Sequence, residues 1–148
     1  MLINRDFSDL LAELSARGAE YLIVGAYALA AHGHIRATKD LDIWINPSPE
    51  NALRVFAALA AFGAPVEDLT EDDLATEGTI FQIGVEPYRI DVITRVDGLA
   101  FGDAWGDRVT TQYGDLSVWV IGRDDLIRNK KASGRLQDLA DVEKLQND

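Results

Sequence analysis

Residues 24–45 read VGAYALAAHGHIRATKDLDIWI, and the fold turns on how this stretch divides. Its first residue closes a short apolar run, Tyr21 to Val24, which predicts a buried strand. Gly25 ends that strand, and the helix formers Ala26 to Ala31 carry the chain toward Gly33. A strand that breaks at glycine and opens a helix aims backbone N–H groups at an anion. At the far end, Asp40 to Ile45 alternates polar and apolar residues, the period of a strand with one buried face. Asp40 and Asp42 then share one face, and Leu41, Ile43 and Ile45 point the other way, toward a core.

Outward from this stretch the elements follow in order. Upstream, Phe7, Leu10, Leu11 and Leu14 recur at helical spacing within Asp6 to Arg17, and Gly18 stops the helix. Downstream, Ser48, Pro49 and Glu50 form a helix start before Leu53 to Phe62, closed by Gly63. The acidic stretch Glu67 to Glu77 reads as a loop or one helical turn. Thr79 to Val85 and Tyr88 to Thr94 read as strands of a hairpin, separated by Glu86 and Pro87. Two more short strands are expected around Val109 to Gln112 and Leu116 to Ile121, then helices over Asp124 to Ser133 and about Leu136 to Leu145, broken at Gly134. No repeat or linker interrupts the chain, so residues 1–148 are expected to form one domain. The order predicts an α+β fold, a mixed twisted sheet flanked by helices.

Composition narrows the function classes. The 148 residues are 47% hydrophobic and 26% charged, values that exclude a disordered, collagen-like or coiled-coil chain. No apolar run approaches the ~20 residues a membrane helix needs, so no membrane association is expected. The start MLINRDFSDL carries charges where a secretory signal would be apolar, which makes a cytoplasmic location the expectation. The absence of cysteine removes disulfides, thiolate metal sites and cysteine nucleophiles. A net charge of -11 repels nucleic acid and anionic membranes on average, and duplex DNA is not an expected partner. G-x-S-x-G, Walker A, G-x-G-x-x-G and H-E-x-x-H motifs are all absent. His32 and His34, two apart beside Gly33, read as loop or helix-end residues.

The carboxylates carry more. A later strand, YRIDVIT (88–94), holds Asp91 on one face with Ile90 and Val92 on the other. If it neighbours DLDIWI, three carboxylates converge, and gathered like charges are destabilising unless a cation neutralises them. Hard divalent ions with oxygen ligands, Mg²⁺ or Mn²⁺, are the natural counterpart. A phosphate seat at Gly25 followed by an acid pair is a layout for metal-assisted phosphoryl or nucleotidyl transfer.

These residues resemble the signature of the nucleotidyltransferase superfamily, whose palm is like that of DNA polymerase beta. The signature is a hydrophobic residue, then Gly-[Gly/Ser], a spacer of about a dozen residues, Asp-x-Asp and a third acid on a later strand. Gly25, Asp40, Asp42 and Asp91 fill those places. FQIGVEPYRIDVIT (81–94), VDGLAF (96–101) and DLIRNKKASGRLQDLADVEKL (125–145) extend the resemblance, which looks like the small bacterial proteins related to AbiEii-type toxin nucleotidyltransferases. It implies transfer of a nucleoside monophosphate from an NTP such as ATP to a hydroxyl or phosphate acceptor. Asp40, Asp42 and Asp91 would be the catalytic and metal-binding acids. Gly25, Ala26, Arg36, Thr38, Lys39 and Lys130 would bind nucleotide, with an ordinary exposed lysine as the rival reading of Lys130. Arg135, Asp138 and Asp141 are spaced to staple the C-terminal helices, and Tyr27, Trp44 and Trp119 read as core. The acceptor stays open among a partner protein, tRNA and a small molecule. Ala26 departs from the family pattern, because it lacks a hydroxyl to bond a phosphate while keeping its backbone N–H. That departure motivates a second reading, a catalytically silent nucleotide-binding module that partners a toxin-like protein.

Overall fold

Alternating and helical apolar patterns predict a sheet with helices on it, and the computed structural model, which describes residues 4–34, 39–85 and 87–147, has that architecture. The helices are α1 (Arg5–Ala16), α2 (Gly25–Ala31), α3 (Pro49–Phe62), α4 (Glu71–Leu74), α5 (Phe101–Gly106), α6 (Arg123–Ser133) and α7 (Leu136–Gln146). The strands are β1 (Tyr21–Val24), β2 (Leu41–Ile45), β3 (Ile80–Ile83), β4 (Ile90–Ile93), β5 (Val109–Tyr113) and β6 (Leu116–Val120). They form one six-stranded sheet in the order β3-β4-β2-β1-β6-β5. β2 runs antiparallel to β1 and parallel to β4, and β1 is parallel to β6, so the sheet is mixed. The two hairpins, β3–β4 and β5–β6, form its edges.

Register follows from burial. Leu41, Ile43 and Ile45 are fully buried, as their alternation requires, and a one-residue slip would turn them to the acid face. Asn51, near the start of α3, locks that register with its side chain. Its Nδ2 donates to the carbonyls of Glu20 (3.0 Å) and Asn46 (2.9 Å), and its Oδ1 accepts from the Glu20 amide (2.7 Å). This clamps the start of β1 to the end of β2, so Tyr21 pairs with Ile45 and Val24 with Asp42. Ser48 caps α3 by accepting from the Asn51 amide, and Asn4 caps α1 by accepting from that of Phe7.

The face of β2 that carries the acids also carries Trp44, which meets Phe101 of α5 edge-on at 5.0 Å. Phe101 stacks on Trp105, and Trp105 meets Trp119 of β6, with the Arg108 guanidinium over both indoles. Tyr27, Trp44 and Trp119 therefore serve packing. The loop after β4 docks on α6. Asn129 donates to the Asp97 carbonyl (2.9 Å), and a Cβ at Gly98 would lie 2.7 Å from Ala132 Cβ, which explains the glycine in VDGLAF. Among the described residues no helix is long and apolar enough to cross a membrane.

Sequence and structure differ in detail. α2 begins at Gly25 itself, Asp40 lies just before β2, and the acidic stretch contributes the single turn α4. Helix α5 was not expected, because six residues ending in glycine show too little periodicity to register.

Candidate active site

Register places the site. Val24 pairs with Asp42 across β1–β2, and Asp42 pairs with Asp91 across β2–β4. The end of β1, the second acid of Asp-x-Asp and the third acid thus form a row across three adjacent strands. Asp40, two residues before Asp42, joins them at the mouth of β2. The three carboxylates do come together as the strand alternation predicts. The Asp42 carboxyl lies within hydrogen-bonding range of Asp91, and Asp40 and Asp91 share the guanidinium of Arg89.

Gly25 is required twice over. Its φ of +68° lies in the left-handed region that side chains disfavour. A Cβ there would also overlap Asp42 Oδ2 and lie 3.2 Å from its Cγ. The glycine thus admits the carboxylate against the first turn of α2, where no side chain caps the helix. Ala26, the next residue, is half-buried.

Charge at the site is unevenly compensated. Burial first, then the charges of Asp91 and Asp40, push the Asp42 carboxyl from an ordinary 3.8 up to about 6, against a smaller opposing pull from Arg89. Arg89 Nε donates to Asp91 Oδ1 at 2.8 Å and its Nη2 to Oδ2 at 3.2 Å, a bidentate fork. The same Nη2 lies 3.5 Å from Asp40 Oδ2, and the Arg89 amide donates to Asp40 Oδ1 at 3.3 Å. Tyr27 is pushed up to about 12 by burial, by its neighbour Tyr113 and, more weakly, by Tyr88 and Asp40.

The other predicted residues are placed as follows. Lys39 is exposed at the entry to β2, while Arg36 and Thr38 lie outside the described residues. Lys130 is not the exposed helix lysine of the rival reading. Its side chain is only 6% exposed, with Nζ 3.0 Å from Asp141 Oδ2 and 3.6 Å from Asp138 Oδ1. Arg135 forks onto Asp138 (2.7 and 3.3 Å) and Gln137 donates to Asp141 (2.9 Å), both within α7 and its N-cap, so it is Lys130 on these two acids that staples α6 to α7. The hydrogen bond that Arg135 donates to Asp138 raises the Arg135 pKa most, followed by the charge of Asp138, with smaller contributions from Asp42 and Asp97. The Arg135 side chain is 79% exposed. His32 ends α2 with Nε2 2.8 Å from the Ile121 carbonyl, a structural tie.

Residues 5–146 match a family described as nucleotidyltransferase of unknown function, DUF6036. The chain belongs to this family. A protein of Thermotoga maritima assigned to the nucleotidyltransferases shares its fold at 13% identity and a TM-score of 0.61, covering 99% of this chain and 96% of that one. The lincosamide antibiotic adenylyltransferase LnuA, solved with lincomycin bound, does so at 14% identity and a TM-score of 0.60, covering 97% of each chain. No curated protein matches the chain. The six-stranded mixed sheet flanked by helices is the fold of these nucleotidyltransferases.

Sequence reasoning about this family member missed Arg89. The signal was present, since Arg89 and Asp91 are two apart in an extended segment and must face the same way. As they stand, no three His, Asp or Glu side chains among the described residues form a closed cation cage, and Asp40 and Asp91 share the Arg89 guanidinium. The donor set still fits a hard divalent ion by its chemistry: Asp40, Asp42 and Asp91 offer carboxylate oxygens, and Asp42 is raised by burial first and then by the charges of the other two.

Proposed function

We propose that this nucleotidyltransferase-family protein moves a nucleoside monophosphate from an NTP, ATP among the candidates, to a hydroxyl or phosphate acceptor. The acceptor oxygen bonds to the α-phosphorus, the bond to the β-phosphate breaks, and pyrophosphate leaves. The observation that carries this reading is the row of Gly25, Asp42 and Asp91 across three adjacent strands, with Asp40 beside it. Asp40, Asp42 and Asp91 would hold Mg²⁺ or Mn²⁺, which when bound screens the phosphates and raises the nucleophilicity of the acceptor. Asp91, at the β4 end of the row, would help take the acceptor proton. The uncapped first turn of α2 at Gly25 and Ala26 would offer backbone N–H groups to the phosphates, with Lys39 at the entry to β2 and Arg36 and Thr38, which precede it in sequence, as further candidates.

Lys130 acts in this reading through Asp138 rather than on phosphate, because its nitrogen is already shared by two buried carboxylates. Arg135, held by the same Asp138 and 79% exposed, would supply the cation for the triphosphate. A basic strip for tRNA would be interrupted at the buried Lys130, which leaves a partner protein or a small molecule as the favoured acceptor. A lincosamide adenylyltransferase shares the fold, and an AbiEii-like toxin–antitoxin setting suits a protein acceptor.

The second reading, a silent nucleotide-binding module, is favoured by Ala26 alone. Incubation with each labelled NTP, Mg²⁺ and total cell RNA, protein or metabolites separates the two. Transfer of label from one NTP supports the enzyme, and silence with all four in the presence of measurable NTP binding supports the module.

A further inference from the structure

We propose that Arg89 is a resident counter-ion of the acid row which an arriving divalent cation displaces, so that one side chain stabilises the metal-free fold and opposes metal binding. This rests on reading the row as a cation site. The geometry supplies the argument. Both Asp91 oxygens are taken up by the guanidinium fork, at 2.8 and 3.2 Å, and the same Nη2 reaches Asp40 at 3.5 Å. A cation shared by Asp40, Asp42 and Asp91 would have to approach those oxygens. Two positive charges on one pair of carboxylates repel. Arginine cannot relieve this by losing a proton, so it must move.

The way out exists. The Arg89 side chain is 28% exposed, against 14% for the Asp91 carboxylate it covers, so it has a path to solvent that needs no opening of the sheet. Its backbone stays behind, because its carbonyl accepts from the Leu41 amide at 3.0 Å and its amide donates to Asp40. The exchange is therefore a side-chain rotation on a fixed backbone. It is favoured by charge, since a divalent ion neutralises more of the three carboxylates than the Arg89 guanidinium does. Without the fork, the metal-free protein would hold Asp40, Asp42 and Asp91 together with less compensation than it now has.

Titration calorimetry with Mg²⁺ alone, on EDTA-stripped wild type, Arg89→Gln, Arg89→Lys and Asp42→Asn, tests this together with melting curves in EDTA. Arg89→Gln should melt below wild type in EDTA yet bind Mg²⁺ about tenfold more tightly, the factor given by ~1.4 kcal/mol of lost competition. Arg89→Lys keeps the charge without the fork and should fall between them on both readouts; it carries the comparison if Arg89→Gln does not fold. An Mg²⁺ affinity equal to or weaker than wild type in both Arg89 variants would overturn the proposal, marking Arg89 as a partner that stays on Asp91 when metal binds. A wild type whose Mg²⁺ binding is absent, or is unchanged by Asp42→Asn, would instead overturn the cation-site reading and this inference with it.

Discussion

The acids on the sheet are half-buried, and those between the last two helices are fully buried. Between α6 and α7, Lys130 and Arg135 face Asp138 and Asp141, two cations for two carboxylates. Burial alone would raise Asp138, but the Arg135 hydrogen bond and the charges of Arg135 and Lys130 outweigh it and hold the carboxyl below its ordinary range. On the sheet, Asp40, Asp42 and Asp91 face Arg89, and Asp42 is driven the opposite way, up to about 6. The residue types are alike, but Asp138 and Asp141 are 3% and 0% exposed against 14% and 30% for Asp91 and Asp40. Asp42 is raised by burial first and by its like-charged neighbours second. A compensated cluster holds the fold together, whereas an acid row raised by burial and by like charge is what the proposed cation site requires.

The contrast breaks most visibly at Lys130. Lys130→Met should cost about 3–5 kcal/mol, because it leaves Asp138 and Asp141 buried with too little compensation. Chemical denaturation measures it, and a loss below about 1 kcal/mol would make the two clusters alike.

The acid row has the opposite pH behaviour. A carboxyl whose folded pKa is raised binds a proton more readily in the folded state than in the unfolded one. Its penalty is therefore absent below about pH 4, grows as pH rises through about 6, and is complete by pH 7. The rise from 3.8 to about 6 corresponds to about 3 kcal/mol. Asp42→Asn should remove this slope, so the difference in stability between variant and wild type, in EDTA, should favour the variant increasingly from pH 4 to pH 7. A pH-independent difference would show that Asp42 is not strained by its neighbours.

Smaller effects sharpen the comparison. Gly25→Ala should lose about 1–2 kcal/mol to its left-handed backbone, plus the overlap with Asp42. Combined with Asp42→Ala, only the backbone part should remain, and strict additivity in the double mutant would place the cost wholly in the backbone. Arg135→Ala should cost less than about 1 kcal/mol, as an exposed partner does, yet raise the dissociation constant for NTP. An unchanged NTP affinity would confine Arg135 to its fork on Asp138.

How much of this was legible in the sequence follows from the range of the interactions. Strand alternation in DLDIWI and YRIDVIT fixes which way Asp40, Asp42 and Asp91 point, because period two is a local property. That the two strands are neighbours is not local; the sequence carries it only as a condition, which the β2–β4 register meets. The glycine was seen as a phosphate seat, whereas its contact with Asp42 depends on β1 lying beside β2. Lys130 on its own looks like any helix lysine. Only the fold of α7 back over α6 buries it beside two acids. Arg89 had a local signal, two residues from Asp91, which was overlooked because attention fell on the acids rather than on what neutralises them.

The central claim, that the acid row receives a cation, is tested most directly by melting wild type and Asp42→Asn at pH 7 in EDTA, in Mg²⁺ and in Mg²⁺ with NTP. At a hundredfold excess over Kd, a ligand that binds only the folded state adds about 2.7 kcal/mol, or roughly 8–12 °C in Tm for a chain of this size. Wild type should show this rise with Mg²⁺ and NTP. Asp42→Asn should start at or above the wild-type Tm in EDTA and lose most of the rise. Equal ligand-induced shifts in the two proteins would contradict the account.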